Sequence, residues 1–518
     1  MTTKIKTIIN SNFIPLLAAL LTFIVSAVFA RIGIDPHHDG IILKPAIDLV
    51  EGKMLFEDSF TQYGALLTII QSFSLLIFGK YLIVIKLLTA FFYALTSFFL
   101  YKIWSVYTEK KLALFSCLLW LSLAPFYIFL FLSWSSVYSL FFLVLSTYYL
   151  ILSLNNNHFL NLFLAGISAG CAFWTRQPVG FFLVLFSCLS IILIISKKEF
   201  QFIKIIKNFF FYFSGLSLIS FPILIWLISR GGFHDWWLQS IKLAIVFGQT
   251  TGQNFQIKVI LQNLFPGSAD IVSIWKLLPI ISVIYLIRSL INKINKKGNY
   301  KDNIQIIISL IGISSWMQYY PVPCPRHLFW AITPMIGILP KFIIEFQNNF
   351  IFNRNKHSQL LSIIIFLFLL RLVVFEEISN RLTWGITKLK ANYYTTNQPT
   401  ILKHLKISLE EVEFYQNSAK IFESYPQKNI ITNGPDAIYG ALKSNTFNFH
   451  PMYINWEGVN KTVYPEYKEK LIEYVNNNKP IVFSPAGDIM PGYCPVGKTN
   501  HNAQILTIPC ELLNTKAP

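Results

Sequence analysis

The stretch Arg31–Gly64, RIGIDPHHDGIILKPAIDLVEGKMLFEDSFTQYG, decides how the chain is read. It follows directly on the apolar run Phe13–Ala30 and gathers Asp35, His37, His38 and Asp39 at what would be a membrane edge. Ionisable groups are costly to keep at such an edge without a use, so these side chains are functional candidates. The residues after them predict a short amphipathic helix. Ile41, Ile42, Ala46, Ile47, Leu49 and Val50 are apolar, Lys44 and Asp48 are spaced to pair, and Gly52 suits the stop. Pro45 falls in its first turn if the helix starts late and otherwise marks a kink. Such a helix is expected to lie on the bilayer surface and to hold Asp39 at a wet boundary.

Outward from this stretch the chain is apolar. Of 518 residues 54% are hydrophobic and 13% charged, and the mean hydropathy is +0.52. That excludes an ordinary soluble protein. The net charge of +18 does not point to nucleic acid, because the lysines cluster in short loops between apolar runs, as cytoplasmic loops do. Lys4 and Lys6 before Phe13–Ala30 place the N-terminus inside and Arg31–Gly64 outside; the run reads as an uncleaved span rather than a signal peptide. Ala65–Phe78 is too short to cross and reads as a second surface or re-entrant helix. If it crossed, Lys102, Lys110 and Lys111 would fall outside. Spans are then expected near 81–101, 112–132, 136–154, 159–175, 178–195, 209–229, 271–290, 303–320, 327–346 and 359–375. The total is about eleven, an odd number that leaves the C-terminus outside.

The predicted fold class is therefore a polytopic α-helical membrane protein with a C-terminal extracytoplasmic α/β domain. Residues 1–375 form the membrane domain, with 31–80 as its first outer loop and surface helices. Residues 376–518 form the soluble part, with helices expected at Leu409–Tyr425 and Tyr464–Val475 and strands at Asn429–Thr432, Ile481–Phe483 and Ile505–Ile508. Cys494 and Cys510 lie in this part and are expected to bridge in an oxidising compartment. The chain should sit in the cell (inner or plasma) membrane as a multi-pass protein with a cytoplasmic N-terminus.

Three polar sites converge on the outer face in this topology: Asp35–Asp39, Thr175-Arg176-Gln177-Pro178 between two spans, and Cys324-Pro325-Arg326-His327 where a span begins. An Asp at the water boundary can act as a general base. An Arg at the same depth can bind a lipid-carried phosphate through its planar fork of donors, or can simply anchor a span end. Asp35 reads as a cap ahead of Pro36, so Asp39 is the candidate base. Asp35, His38, Lys53, Tyr63, Arg176, Gln177, Arg326 and His327 are the candidate substrate-binding residues. No cofactor is expected. A divalent metal at His37-His38-Asp39 is not favoured, since adjacent residues rarely point at one ion. Gly166-Ile167-Ser168-Ala169-Gly170 has the spacing of a hydrolase nucleophile elbow, but that turn needs a preceding strand, and close helix packing fits these glycines better. Trp134, Trp236 and Trp237 fit an interfacial aromatic belt better than a sugar-stacking role. There is no P-loop, GxGxxG or DxD motif.

With these residues in view, the chain resembles the C-type glycosyltransferases, the superfamily of dolichyl-phosphate-mannose protein mannosyltransferases and bacterial aminoarabinose lipid A transferases. Asp39 after the first span, the helix to Gly52, Phe56-Glu57-Asp58 and Gln62-Tyr63-Gly64 are similar to that group's first outer loop. Arg326-His327 followed by Pro334 is similar to its late Arg-Tyr…Pro span, and Asn433-Gly434-Pro435-Asp436-Ala437-Ile438-Tyr439 to the start of the outer domain in bacterial members. Two positions depart: Gly40 stands where many members have Glu, and no acid lies between Trp134 and Tyr138. The resemblance implies transfer of a sugar from a polyprenyl-phosphate donor to a lipid, glycan or protein acceptor at the outer face, with inversion. The alternative from another class is a transporter or lipid-linked-glycan flippase. That would want ionisable groups near mid-membrane and an internal repeat, and no repeat is evident.

Overall fold

The computed structural model describes residues 2–155, 158–195, 202–250, 274–295, 297–319, 324–346, 371, 377–425, 429–432, 438, 465–485, 489–498 and 504–514. Helix α1 (Thr2–Ala30) leads to two short helices, α2 (Pro36–Val50) and α3 (Ala65–Phe78). Then come α4 (Leu82–Tyr107), α5 (Lys110–Ser122), α6 (Ser135–Leu152), α7 (His158–Thr175), α8 (Gln177–Ile195) and α9 (Phe202–Ser229). Among the described residues, Asn12–Ala30 and helices α4, α6, α7, α8 and α9 are each long and apolar enough to cross a membrane.

The spans expected near 271–290 and 303–320 appear as shorter helices, α12 (Leu278–Ile294) and α13 (Tyr300–Trp316). A reciprocal cap starts α13: Asn299 Oδ1 accepts from the Asp302 N–H, and Asp302 Oδ2 from the Asn299 N–H. The span expected at 327–346 is bent by 59° between α14 (Pro325–Ile332) and α15 (Ile338–Phe346), with Pro334 in the break. The span at 359–375 and the motif 433–439 lie outside the described residues except for Arg371 and Ile438. The stretch after α9 carries α10 (Phe233–Trp236) and α11 (Leu243–Thr250) up to residue 250.

The expected span 112–132 is corrected. Helix α5 stops at Ser122 because Pro125 disfavours helical backbone at Ala124 and has no N–H to continue the ladder. One 3₁₀ turn, Pro125–Tyr127, follows, and residues 128–134 then run as irregular chain to the start of α6. The glycines of α7 serve helix packing. A Cβ on Gly166 would stand 1.9 Å from the Tyr212 carbonyl oxygen of α9, and one on Gly215 2.0 Å from that of Phe163. Gly64 allows an equally close approach, with Trp174 O 2.0 Å from where its Cβ would lie.

Helix α2 starts earlier than expected, at Pro36, so Pro45 is interior to it. It does not lie open on a bilayer surface. Ile42, Leu43, Ala46 and Ile47 are buried in one apolar cluster with Leu75 of α3, Leu82, Ile83 and Ile85 of α4, and the C-terminal residues Leu402, Leu405, Ile407, Phe414 and Phe483. Helix α3 has the expected bounds, and Phe73, Leu76, Ile77 and Phe78 are exposed on it as an apolar edge.

The C-terminal part holds helices α16 (Asn380–Lys390), α17 (Leu409–Ser424), α18 (Tyr467–Asn478) and α19 (Cys510–Asn514). Strands β1 (Tyr394–Thr395) and β2 (Lys406–Ile407) pair antiparallel. Strands β3 (Ile430–Thr432), β4 (Ile481–Pro485), β5 (Tyr493–Lys498) and β6 (Gln504–Pro509) form a sheet of order β3-β4-β6-β5. β3 and β4 are parallel, and the other pairs are antiparallel. Strand β5 was not expected from sequence: Pro495 and Gly497 interrupt its pattern and sit at a register shift.

Cys494 and Cys510 are bonded, with Cα atoms 4.9 Å apart. A bridge closing a loop of this size stabilises by about 3 kcal/mol in the chain-entropy model. Cys494→Ser is therefore expected to lower the unfolding midpoint of this part, and peptide mapping without reductant should recover the two cysteines joined. Two free thiols in the native protein would refute the pairing.

Candidate active site

The site is built from the loop after α1 upward. Asp35 caps α2: its Oδ1 accepts the His38 N–H at 2.9 Å and lies 3.0 Å from His38 Nδ1. Burial works to raise its pKa, but the hydrogen bond and charge of His38 prevail and hold the carboxyl well below the usual range. One turn on, Asp39 is fully buried, which corrects the expected wet boundary. Its Oδ2 accepts the Asp35 N–H at 2.9 Å and pairs with Lys86 Nζ at 2.8 Å. Its Oδ1 has no hydrogen-bond partner among the described residues. Burial pushes its pKa up, and Lys86 pulls against that.

Lys86 escaped the sequence reading. It is fully buried near the start of α4 and also donates to the Gly33 and Phe131 carbonyls at 3.0 and 3.2 Å. The signal was there: a single charge inside the apolar run LIVIKLLTAFFYAL is a functional candidate by the same argument that singled out Asp39.

Lys53 is drawn into a network around Asp48. Asp48 is fully buried; its Oδ1 accepts from Lys44 Nζ at 2.5 Å and Lys53 Nζ at 2.8 Å, and its Oδ2 from Ser59 Oγ at 2.6 Å. Burial brings Lys44 down to about 8 against the pull of Asp48. This network pins the far end of the loop, about 13 Å along α2 from Asp39 at the helical rise.

Tyr63, His38 and His327 do come together, around Trp134. The Trp134 Nε1–H donates to the Tyr63 hydroxyl. Its ring lies 4.7 Å from that of His38, 5.4 Å from His327 and 5.2 Å from Trp330. Trp134 thus lines the site rather than a lipid belt, whereas Trp236 is buried against Trp174 and Trp237 is exposed. The break after α5 makes this possible: residues 128–134 carry Trp134, the Phe131 carbonyl that holds Lys86, and Phe129.

Arg176 stands at the N-terminus of α8, within electrostatic reach of Tyr63 and Cys324. Its Nη1 and Gln177 Nε2 are buried and find no hydrogen-bond partner among the described residues, and no described carboxylate pairs with Arg176. Arg326, on the first turn of α14, lies over the Phe129 ring with Cζ 4.4 Å from the centroid. No three described His, Cys, Asp or Glu side chains group to hold a metal ion.

Residues 65–226 match the family described as dolichyl-phosphate-mannose-protein mannosyltransferase. Among solved structures, ArnT from Cupriavidus metallidurans in the apo state is similar over 96% of this chain and 98% of its own, with a TM-score of 0.53 at 9% identity. The same protein bound to undecaprenyl phosphate gives a TM-score of 0.51 at 9% identity over the same shares. This chain has the C-type glycosyltransferase fold. The Archaeoglobus fulgidus oligosaccharyltransferase, tethered with an acceptor peptide, aligns over 91% of this chain and 69% of its own at 8% identity and a TM-score of 0.48. No curated protein matches the sequence. The family match runs from α3 to α9 and so takes in Lys86, Trp134, Arg176 and Gln177, while the fold likeness covers 96% of the chain.

Proposed function

We propose that this membrane protein transfers a sugar from a polyprenyl-phosphate donor to a hydroxyl of a lipid, glycan or protein acceptor in the cell envelope, on the outer face, with inversion. The observation that carries this is Arg176. Its guanidinium is half-buried, the buried Nη1 has no partner and no acid pairs with it among the described residues, which is costly unless an anion comes to it. Here it stands at a helix N-terminus, which itself favours anions, next to a buried Gln177 amide with hydrogen-bonding capacity to spare. The fold match to an ArnT bound to undecaprenyl phosphate supports a lipid phosphate as that anion.

In the reaction, Asp39 takes the proton from the acceptor hydroxyl as its oxygen attacks the anomeric carbon. The bond from that carbon to the phosphate oxygen breaks, and the electron pair leaves on the lipid phosphate. Lys86, Arg176 and Arg326 face the charge that develops there. Lys86, 2.8 Å from Asp39, also works against the upward push of burial on the carboxyl pKa. Tyr63, His38, His327 and Trp134 form the aromatic and hydrogen-bonding wall against which the sugar is placed. The N-terminus is then cytoplasmic and the C-terminal part outside.

Arg176→Ala is expected to lower donor use with acceptor saturating, by about 10²–10³ in kcat/KM for the donor. Arg176→Lys should restore part of it, since a point charge replaces the fork. The assay is sugar transfer in membranes from a polyprenyl-phosphate sugar at matched protein levels. Unchanged donor dependence in Arg176→Ala would remove the phosphate role from this residue.

A further inference from the structure

The Asp39–Lys86 pair is held from above by a segment far along the chain. The Lys406 N–H donates to the Arg31 carbonyl at 2.7 Å, and the Gly33 N–H donates to the Lys406 carbonyl at 2.8 Å. Ile32 and Lys406 thereby form a parallel bridge that extends the β1–β2 pair onto the first outer loop. The Gly33 carbonyl points the other way and accepts from Lys86 Nζ at 3.0 Å. Gly33 adopts φ +74°, in the left-handed region, and a Cβ there would lie 2.4 Å from Leu130 Cδ2. Only glycine takes that backbone at no steric cost.

The same segment also grips the start of α4. The ring of Tyr81, which stands at the N-cap of α4, lies 5.8 Å from that of His404. Leu402, Leu405 and Ile407 are fully buried, in one cluster with Ile34, Leu82, Ile83 and Ile85. Residues 402–407 therefore touch both elements of the catalytic pair: the turn before Asp39 and the first turns of the helix that carries Lys86.

We propose that the segment Leu402–Ile407, through the Lys406 backbone and the Gly33 turn, is the positioning element that holds Lys86 against Asp39. This rests on Asp39 as the base. Gly33 and Lys406 touch no reacting atom; they act by fixing where the Lys86 ammonium sits. The C-terminal part is then a working portion of the active site. The charged groups that act on Asp39 are Lys86 and Asp35. If the clasp loosens, Lys86 draws back, Asp39 loses the cation that favours its charged form, and its protonation moves to higher pH.

The test is the pH profile of kcat for transfer in membranes, with wild type, Lys406→Pro, Lys406→Ala and Gly33→Ala at matched inserted protein. Lys406→Pro removes the N–H that bonds Arg31. It should lower kcat by about tenfold or more, as a small misplacement of catalytic groups does, and shift the acid limb to higher pH with donor KM little changed. Lys406→Ala keeps the backbone N–H and should keep the wild-type limb, because the side chain is exposed. Gly33→Ala, whose methyl meets only a movable leucine side chain, should behave as Lys406→Pro and decides the matter if the proline variant fails to insert. A wild-type kcat and acid limb in Lys406→Pro and Gly33→Ala overturns the clasp. Asp39→Asn is run alongside: full turnover there defeats the base assignment itself, whatever the clasp variants do.

Discussion

Asp39→Asn is expected to lower kcat by about 10²–10⁴, the usual worth of a positioned general base. The amide keeps the shape of the carboxylate but cannot take the acceptor proton. Burial complicates the measurement. Asp39 and Lys86 are both fully buried and 2.8 Å apart, and removing one partner of such a pair costs about 3–5 kcal/mol because the other charge is left uncompensated. Loss of activity in the single variant therefore has to be normalised to folded, inserted protein. The double variant Asp39→Asn/Lys86→Met separates the two effects. It removes both charges, so it should recover most of the folded yield, yet it should remain inactive for want of the base. A double or single variant that turns over near the wild-type rate would take Asp39 out of the mechanism.

The parts of the site that sequence made legible are those governed by local rules. Asp35 before Pro36 has the pattern of a helix cap, and it caps α2. Lys44 and Asp48 have the spacing of a helical pair, and they pair. The glycines of α7 and the two cysteines of the C-terminal part likewise do what their spacing and setting indicated. What sequence did not show depends on contacts between distant segments. Hydropathy counted residues 112–132 as one apolar run, although Pro125 breaks the helix and frees residues 128–134 to reach Lys86 and the His38 ring. Lys86 was passed over because it sits inside a span, and its partners Asp39, Gly33 and Phe131 come from three other places in the chain. The burial of Asp39 has the same origin. Helix α2 is covered by Leu402, Leu405 and Ile407, and nothing in residues 31–64 announces a lid supplied from residues 402–407.

Lys86→Met is expected to cost as much activity at neutral pH as loss of a transition-state hydrogen-bond donor does, about 10²–10³ in kcat, and to do so with a distinctive pH dependence. Burial already raises Asp39, and Lys86 is the main influence lowering it. Without the ammonium the carboxyl pKa climbs further, so at neutral pH a larger share of Asp39 is protonated and cannot act as base. Activity should then rise with pH beyond the point at which wild type has levelled off. Stability should move the opposite way. A group whose folded pKa lies above its unfolded value contributes stability that is fully present below the unfolded pKa and is lost as pH rises through the folded pKa. Lys86→Met protein should therefore be most stable in acid and should lose stability over the same window in which it gains activity. Rates and melting midpoints measured together from about pH 5 to 9 read both trends. If Lys86 only anchored α4, its loss would lower stability without moving the acid limb. An unshifted limb in Lys86→Met would therefore reduce the pair to a structural ion bridge.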